Sequence, residues 1–422
     1  MSKNNSANGE VAEFTLANEL KVLLQEVHAA PVVACYIWYK VGARNERPGI
    51  TGISHWVEHI LFKGTPSLPK EELKRQIERN GGRWNGFTNT DYTVYFEVLP
   101  AEKIEIALKL ESDRMQNSIF DESEVESEQT VILSEREGAE NHPQFLLREE
   151  VQAAAYKAHP YQWGVIGWKS DLQSITREDL YNYYRAYYVP NNAILVLVGD
   201  FNKEQMLRKV NDYFQDIPAG GDISEPRTIE PQQYGERRVI VRKEGNIAYI
   251  NIAYHIPAID DRDVYPLDVL RMVLSYGRTS RVYKEIVDKE LATSAGFYPN
   301  WNKDPGLAWI FAEVRHGVKP EDVEQAFLSE VLKIQSELVS DVELNRAINQ
   351  AEASFVYQQD SVSNQAHRLG YYESIISHQF LDSYLQNIRI VSKEDVQRVA
   401  QKYLQADNRT VGYFIPKLKR DA

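Results

Sequence analysis

An internal repeat constrains the fold of this chain more than any other feature. The segment Thr176-Arg-Glu-Asp179-Leu180, which is followed by Tyr187, recurs as Ser392-Lys-Glu-Asp395-Val396, which is followed by Tyr403. The two copies lie 216 residues apart (Thr176 to Ser392), about half of the 422 residues. Solenoid repeats have periods of roughly 20–50 residues, so a period this long indicates a duplicated domain.

Both halves of the chain show the same order of predicted elements. Each repeat begins with Ser or Thr and has Asp three residues later, a variant of the capping box that starts a helix. Alternating apolar residues predict strands over Lys21–Glu26 and Val32–Tyr39, and again over Arg238–Arg242 and Ala248–Tyr254. Most of the remaining segments have helical periodicity, namely Glu71–Arg79, Glu124–Glu137, Glu321–Val339 and Val342–Gln359. We therefore predict an α+β fold of two homologous domains, each with an antiparallel-rich sheet and helices packed on one face.

Glycine and proline mark the boundary between the halves. The stretch from Pro218 to Pro231 contains Gly220 and Gly221 and has neither helical nor strand periodicity. We place an N-terminal domain at 1–218, a linker at 219–235 and a C-terminal domain at 236–422. The longest apolar runs, such as Ala193–Val198, are far shorter than the roughly 20 residues of a transmembrane helix, so no transmembrane segment is expected.

The first half contains the sequence His55-Trp-Val-Glu58-His59, an H-x-x-E-H motif. On a helix, residues four apart lie on the same face one turn apart, so His55 and His59 can share a metal ion. Glu58 can reach the same place without being required as a ligand. The motif is the inverted order of the H-E-x-x-H zinc motif, and a catalytic zinc needs a third protein ligand. Because the only cysteine is Cys35, that ligand is expected to be a carboxylate.

A glutamate-rich predicted helix, Glu124–Glu137, offers candidates for the third ligand. Glu128 and Glu135 lie seven residues apart and therefore on the same helix face. A helix of this composition is more often a solvated surface than a ligand source. The residue pattern alone leaves the choice open between Glu128, Glu135 and their neighbours.

With these motifs in view, the chain resembles the pitrilysin/insulinase-type inverted zincins, and among them the half-length bacterial and mitochondrial-processing-peptidase-like members. The resemblance extends beyond the metal motif to Gly81–Tyr95, to His159-Pro-Tyr161 and to Asn191-Asn192. It implies that His55, His59 and Glu135 are zinc ligands, that Glu58 is the general base, and that Glu128 orients a ligand. The implied activity is hydrolysis of peptides or unfolded segments inside an enclosed chamber.

The segment Gly81–Tyr95 contains the residues that the resemblance connects with substrate. In the family this region leads into an edge strand on which substrate lies as an added strand, which makes Asn85 and Gly86 candidate substrate-binding residues. Thr93–Phe96 alternates as a strand should. The alternative is an internal hairpin strand with Asn85 in a turn.

The second half departs from the family pattern at two positions. Active relatives carry an Arg and, seven residues later, a Tyr that reach the zinc site. These positions fall on Val287 and on Thr293 or Ser294 here. We therefore expect a hetero-oligomer in which a paralogous subunit supplies the Arg and the Tyr. A homodimer or monomer active without the pair and a non-catalytic scaffold subunit are the alternatives.

The net charge of −13 and the isoelectric point near 5.3 disfavour a nucleic-acid partner, which requires a basic face. The N-terminus, Met1–Glu10, has neither the apolar core of a signal peptide nor an Arg-rich presequence. The cytoplasm of a bacterium is accordingly the expected location.

Overall fold

The computed structural model describes residues 9–417. Residues 1–8, part of the segment in which we predict no signal peptide, lie outside the described residues. In the described part of the first half there are six strands, and their bounds are β1 Ala12–Thr15, β2 Lys21–Glu26, β3 Val32–Tyr39, β4 Arg83–Thr88, β5 Thr93–Pro100 and β6 Ala193–Gly199. Its helices are α1 Ile53–Ile60, α2 Lys70–Arg79, α3 Glu105–Asn117, α4 Glu122–Glu140, α5 Pro143–Ala155, α6 Lys169–Ser174, α7 Arg177–Tyr187 and α8 Lys203–Phe214.

The second half repeats this order with fewer elements in the described part of the chain. Its strands are β7 Arg237–Glu244, β8 Tyr249–His255, β9 Ala292–Pro299, β10 Leu307–Val314 and β11 Arg409–Lys417. Its helices are α9 Val264–Ser275, α10 Pro320–Ser336, α11 Asp341–Tyr357, α12 Val362–Ile375, α13 Phe380–Arg389 and α14 Lys393–Tyr403. A short π-helical turn spans Tyr283–Val287. The predicted strands and long helices are confirmed to within a few residues at their ends.

The two sheets have the same topology, apart from the additional outer strand β1 in the first. The first sheet has the order β1-β2-β6-β3-β5-β4 and the second the order β7-β11-β8-β10-β9. One parallel pair occurs in each, β2 with β6 and β7 with β11, and the remaining pairs are antiparallel. The predicted α+β class with two similar, antiparallel-rich sheets is confirmed.

Both predicted capping boxes are present at equivalent helices. Thr176 Oγ1 accepts from the Asp179 amide (3.2 Å) and Asp179 accepts from the Thr176 amide (2.9 Å) at the start of α7. Ser392 and Asp395 make the same reciprocal pair at 3.0 and 3.1 Å at the start of α14. Each cap satisfies amide groups that the first helical turn leaves unpaired, and a cap of this kind stabilises a helix by about 1 kcal/mol.

The compact units interleave the two halves of the sequence. The first comprises residues 1–134, 164–226 and 358–379, and the second comprises 135–163, 227–357 and 380–422. Helix α12 of the second half therefore belongs with the first sheet, and α5 of the first half belongs with the second sheet. The division 1–218, 219–235 and 236–422 stays a prediction about the repeat along the sequence. The segment 219–235 contains neither helix nor strand.

Each exchanged helix covers the sheet face opposite to the other helices. On the first sheet, α12 lies against β3, where the Tyr36 hydroxyl bonds Ser363 Oγ (2.7 Å) and the His367 ring meets the edge of Trp38. On the second sheet, α5 joins a buried cluster that includes Leu147, Val151, Ala253, Trp309 and Phe414. The helices of each unit's own half fill the larger core on the other face. Within the described residues, none of the helices combines the length and apolar character needed to cross a bilayer.

Candidate metal centre

Helix α1 carries the H-x-x-E-H motif, and its first turn is capped from outside the helix. Gly52 precedes the helix and makes no side-chain cap. Instead, the two carboxylate oxygens of buried Glu46 accept from the amides of Gly52 (2.8 Å) and Ser54 (2.9 Å). Burial raises the pKa of Glu46 to about 8, and the two amide donors oppose this shift. This contact fixes the start of the helix immediately before His55.

His55 and His59 face each other on one side of α1. Their Nε2 atoms are 3.3 Å apart. Two nitrogen ligands that each lie 2.0–2.1 Å from one tetrahedral zinc ion are separated by roughly 3.4 Å, so this spacing fits a shared metal. Burial and the neighbouring His59 lower the pKa of His55 to about 3, which keeps the imidazole neutral as a metal ligand must be.

Glu128 of α4 orients His59. The Nδ1–H of His59 donates to Glu128 Oε2 (2.9 Å), which leaves the lone pair on Nε2, the atom that faces His55. The other oxygen of Glu128 accepts from Lys63, which follows α1. Burial acts to raise the pKa of Glu128, but the hydrogen bonds from Lys63 and His59 lower it overall. A carboxylate that accepts from the second nitrogen of a ligand histidine is the common arrangement in metal sites.

Glu135 completes a group of three possible metal ligands. One ligand atom from each of His55, His59 and Glu135 lies within 4.8 Å of the others. Glu135 lies seven residues after Glu128 on the same helix, α4. Two imidazoles and one carboxylate are a donor set that zinc accepts in catalytic sites.

An ion pair holds the helix just beyond Glu135. The next residue, Arg136, donates to both carboxylate oxygens of Glu149 of α5 at 2.5 and 2.7 Å. Burial acts to lower the pKa of Arg136, but the hydrogen bonds to Glu149 and Glu140 raise it overall. The backbone that carries Glu135 is therefore anchored one residue away from the metal group.

Glu58 lies beside the two histidines and is 7% exposed. Its Oε2 accepts from the Thr88 hydroxyl at the end of β4 (2.8 Å). Burial raises the pKa of the nearby Tyr95, and the charges of Tyr188 and Glu58 add to that increase. A carboxylate on this helix, held by a hydrogen bond and outside the group of three ligand atoms, has the placement expected of a base.

Asn85 and Gly86 both lie within β4, which pairs with β5 alone among the described strands and forms an edge of the first sheet. The alternative, an internal hairpin strand with Asn85 in a turn, is wrong about the turn but right about the internal strand. Thr93–Phe96 belongs to β5, which is an internal strand between β3 and β4. The edge strand is β4, the preceding strand of the same hairpin. Asn85 is exposed, whereas a Cβ on Gly86 would lie 2.9 Å from the Phe62 ring. Glycine at 86 allows the segment after α1 to pack directly on β4.

The positions that align with the family's Arg and Tyr lie in the second unit. Val287 ends the π-helical turn Tyr283–Val287, and Thr293 and Ser294 are exposed residues of β9. The nearest preceding arginine in sequence, Arg281, pairs with both oxygens of Glu343 at 2.9 and 3.2 Å. Burial acts to raise the pKa of Glu343, but this ion pair and the hydrogen bonds from Ser340 outweigh it and lower the pKa to about 2.

Sequence reasoning missed three residues that hold the candidate site, namely Glu46, Lys63 and Thr88. Each acts through contacts with α1 or α4, and no periodic pattern marks such contacts. Lys63 and Thr88 lie close to the motif and to the candidate substrate segment, but nothing in the sequence shows which side chain they meet. Glu46 precedes α1 in a loop, so its capping role depends on the path of that loop.

The sequence profile of the family described as "Insulinase (Peptidase family M16)" matches residues 21–167, and that described as "Peptidase M16 inactive domain" matches residues 174–351. The zinc protease PqqE of Helicobacter pylori is 29% identical over 408 residues, which cover 95% of this chain and 92% of the relative. The probable mitochondrial-processing peptidase subunit beta of Arabidopsis thaliana is 26% identical over 94% of this chain and 76% of its own length.

Among solved structures, the crystal structure of a protease from Helicobacter pylori superimposes with a TM-score of 0.93 at 28% identity, covering 97% of this chain and 100% of the other. The family matches follow one another along the chain, and the similarity to these relatives extends over nearly all of it. The chain therefore belongs to peptidase family M16.

Proposed function

We propose that this chain is the zinc-bearing subunit of a metallopeptidase that hydrolyses peptides or unfolded segments. The observation that carries the proposal is the group of His55, His59 and Glu135, whose ligand atoms lie within 4.8 Å of one another beside Glu58. The names of the H. pylori relative and of the mitochondrial relative support it.

The residues around the group have separate tasks in this proposal. His55, His59 and Glu135 would hold Zn²⁺, which when bound supplies a Lewis acid that activates water and polarises the peptide carbonyl. Glu128 fixes the tautomer of His59 through the Nδ1–H bond. Glu58 takes the proton of the attacking water and returns it to the leaving amine, as a general base and then a general acid.

We further propose that substrate binds in extended form along β4. The outer side of this strand has no partner among the described strands, and an extended peptide can satisfy its free amide and carbonyl groups. Asn85 is exposed on β4, and Gly86 keeps the strand free of a Cβ where Phe62 packs. Main-chain pairing of this kind favours unfolded substrates over folded ones.

The proposed active assembly is a hetero-oligomer with an enclosed chamber. Val287 and Thr293 or Ser294 stand where the family pattern has Arg and Tyr, so we infer that a paralogous chain supplies these groups. The similarity to a subunit named as one of a processing peptidase supports pairing. A homodimer active without the pair, or a scaffold without activity, remains the alternative, and the cytoplasmic location stays a prediction.

The test compares the wild type with Glu58→Gln, alone and mixed with a paralogous chain that carries the Arg and Tyr. We expect cleavage of a fluorogenic peptide by the mixture, a kcat at least about 10²–10⁴-fold lower for the variant, and equal zinc content by metal analysis. Glu71→Gln, an exposed glutamate of α2, is the matched control.

Three outcomes decide between the alternatives. Normal cleavage by Glu58→Gln contradicts the assignment of the base. Full activity of the wild type alone contradicts the need for a partner. Absence of bound zinc from the wild type, together with no cleavage in any mixture, supports the scaffold.

A further inference from the structure

Thr88 is the last residue of β4, and its hydroxyl meets the carboxylate of Glu58. The distance between Thr88 Oγ1 and Glu58 Oε2 is 2.8 Å. Thr88 is half-buried and Glu58 is buried, so the contact is partly shielded from water. A hydrogen bond to a carboxylate in such surroundings is stronger than one between neutral groups at the surface.

The direction of this hydrogen bond follows from the neighbouring groups. An ionised carboxylate only accepts, so the Thr88 hydroxyl must donate. The nearby Thr93 hydroxyl donates to the carbonyl of Val41 at 2.8 Å and lies 3.5 Å from Thr88 Oγ1. Thr93 is the donor in both of these contacts, so Thr88 Oγ1 accepts from Thr93 and its own proton is directed to Glu58.

The contact joins two elements with different proposed tasks. Glu58 lies on α1 between the residues of the metal group, and Thr88 ends the edge strand on which substrate is proposed to lie. Gly86, two residues earlier on β4, packs against Phe62 just after α1. The edge strand therefore contacts both Glu58 and the segment just after α1, and the Thr88 hydroxyl is a hydrogen-bond donor to the Glu58 carboxylate.

We propose that Thr88 is a positioning residue that fixes the orientation of the general base relative to the substrate-binding edge strand. The inference rests on the proposed role of Glu58. A peptide paired with β4 is in register with the backbone of Thr88, so the side chain of this residue sets the carboxylate at a fixed place along the bound peptide. Misplacement of a reacting group by about 1 Å can cost roughly 10²-fold in rate.

The test uses Thr88→Val, which keeps the shape and removes the hydroxyl, and Thr88→Ser, which keeps the hydroxyl. In the active assembly we expect Thr88→Val to lower kcat about 10- to 100-fold, with KM and the zinc dissociation constant within about twofold of wild type. Thr88→Ser should recover kcat to within about threefold. Thr410→Val, which removes a buried hydroxyl on β11 of the second unit, is the matched control and should leave kcat unchanged.

A second measurement is independent of turnover. The crystal structure of Thr88→Val should show the Glu58 carboxylate rotated away from its wild-type position, and that of Thr88→Ser should not. The proposal is overturned if Thr88→Val retains kcat within twofold, if Thr88→Ser loses as much as Thr88→Val, or if Glu58 is unmoved. A wild type that cleaves no peptide counts against the proposed function instead, and the position of Glu58 in the variant then still decides the role of Thr88.

Discussion

The two compact units share one strand order, but their equivalent helices carry different kinds of side chain: α1 and α4 in the first, α9 and α11 in the second. In the first unit, α1 carries His55, Glu58 and His59, and α4 carries Glu128. In the second unit, α9 contains neither histidine nor glutamate, and α11 contributes buried alanines to the apolar core, namely Ala347 and Ala351. The same architecture therefore holds a polar site in one copy and a hydrophobic contact in the other.

Equivalent capped helices allow a residue-by-residue comparison. Asp121 caps α4 and Ser340 caps α11, a separation of 219 positions (340 − 121). At the same separation, Glu128 corresponds to Ala347, and the buried Ile132 corresponds to the buried Ala351. The fold supplies a helix pair at this place, and a small number of side chains decides whether it carries candidate metal ligands.

The largest expected effect comes from placing the first unit's carboxylate in the second. Ala347→Glu puts an unpaired charge where Ala347 is 1% exposed, and it should destabilise the protein by about 3–5 kcal/mol. Urea unfolding at pH 7 measures this change, and Ala353→Glu on the exposed side of α11 is the control. A loss below about 1 kcal/mol for Ala347→Glu would show that the second unit tolerates a polar site.

The contacts of the exchanged helices α12 and α5 offer a second comparison, for which the expected change in stability is intermediate. Lys21 and Arg237 begin β2 and β7, and each contacts the exchanged helix on its own sheet. Lys21 pairs with Glu373 of α12 (2.6 Å), whereas Arg237 donates to the carbonyls of Ala154 and Ala155 at the end of α5 (2.7 and 2.6 Å). The first contact depends on an ionised carboxylate, and the second depends on backbone carbonyls that do not titrate.

Burial acts to raise the pKa of Glu373, but hydrogen bonds from His378 and Lys21 outweigh it and lower the pKa to about 2. Because the unfolded state binds the proton more readily, the stabilisation that ionised Glu373 contributes is fully present above about pH 4.5 and is lost as the pH falls to about 2. Glu373→Gln should remove about 1–2 kcal/mol at pH 7, allowing for solvent screening, and flatten the decline of stability between about pH 4.5 and 2.

The matched variant is Arg237→Met, which should destabilise the protein by a similar amount at about pH 7 and about pH 3, because backbone carbonyls do not titrate. Urea unfolding at a series of pH values measures both variants. A pH dependence of Glu373→Gln equal to that of the wild type would contradict the contribution assigned to this carboxylate.

The smallest expected effect concerns the turn before each edge strand. Gly81 precedes β4 by two residues with φ +76°, and Glu290 precedes β9 by two residues with φ +60°. Left-handed backbone costs a residue with a side chain roughly 1 kcal/mol relative to glycine. Glu290→Gly relieves this strain but also removes the exposed ion pair of Glu290 with Arg315, so the net stabilisation should be about 0.5 kcal/mol. Gly81→Ala introduces the same strain and should destabilise the protein by about 1 kcal/mol.

Thermal unfolding of the two variants measures both changes. A Cβ at residue 81 would meet no atom within 4 Å, so backbone strain alone is tested there. A neutral effect of Gly81→Ala would mean that the turn relaxes.

Much of the fold was predictable because its signals are local. Alternation gave β2 and β3 with their observed bounds, and the two capping boxes gave the starts of α7 and α14. The spacing of His55 and His59 was sufficient to place both on one helix face, since four residues make about one turn.

The rest depended on contacts between residues distant in the sequence. The assignment of Asn85 and Gly86 to the edge strand required the sheet order, because the local sequence does not specify which strand of a hairpin pairs with the rest of the sheet. The sequence does not show which glutamate of α4 lies near the two histidines. Glu135 is in that group because of where α4 lies beside α1, and the periodicity within α4 does not specify that placement.

The sequence by itself determined the duplication, the α+β class and the motif on α1, because each is encoded by residues within a few turns of helix or one strand. Only the tertiary structure decided which helix crosses to which sheet, that Glu46 caps α1, and that Thr88 meets Glu58. The physical reason is that these features depend on packing and hydrogen bonds between separate segments, where the partner is set by the position of whole elements and not by the local pattern.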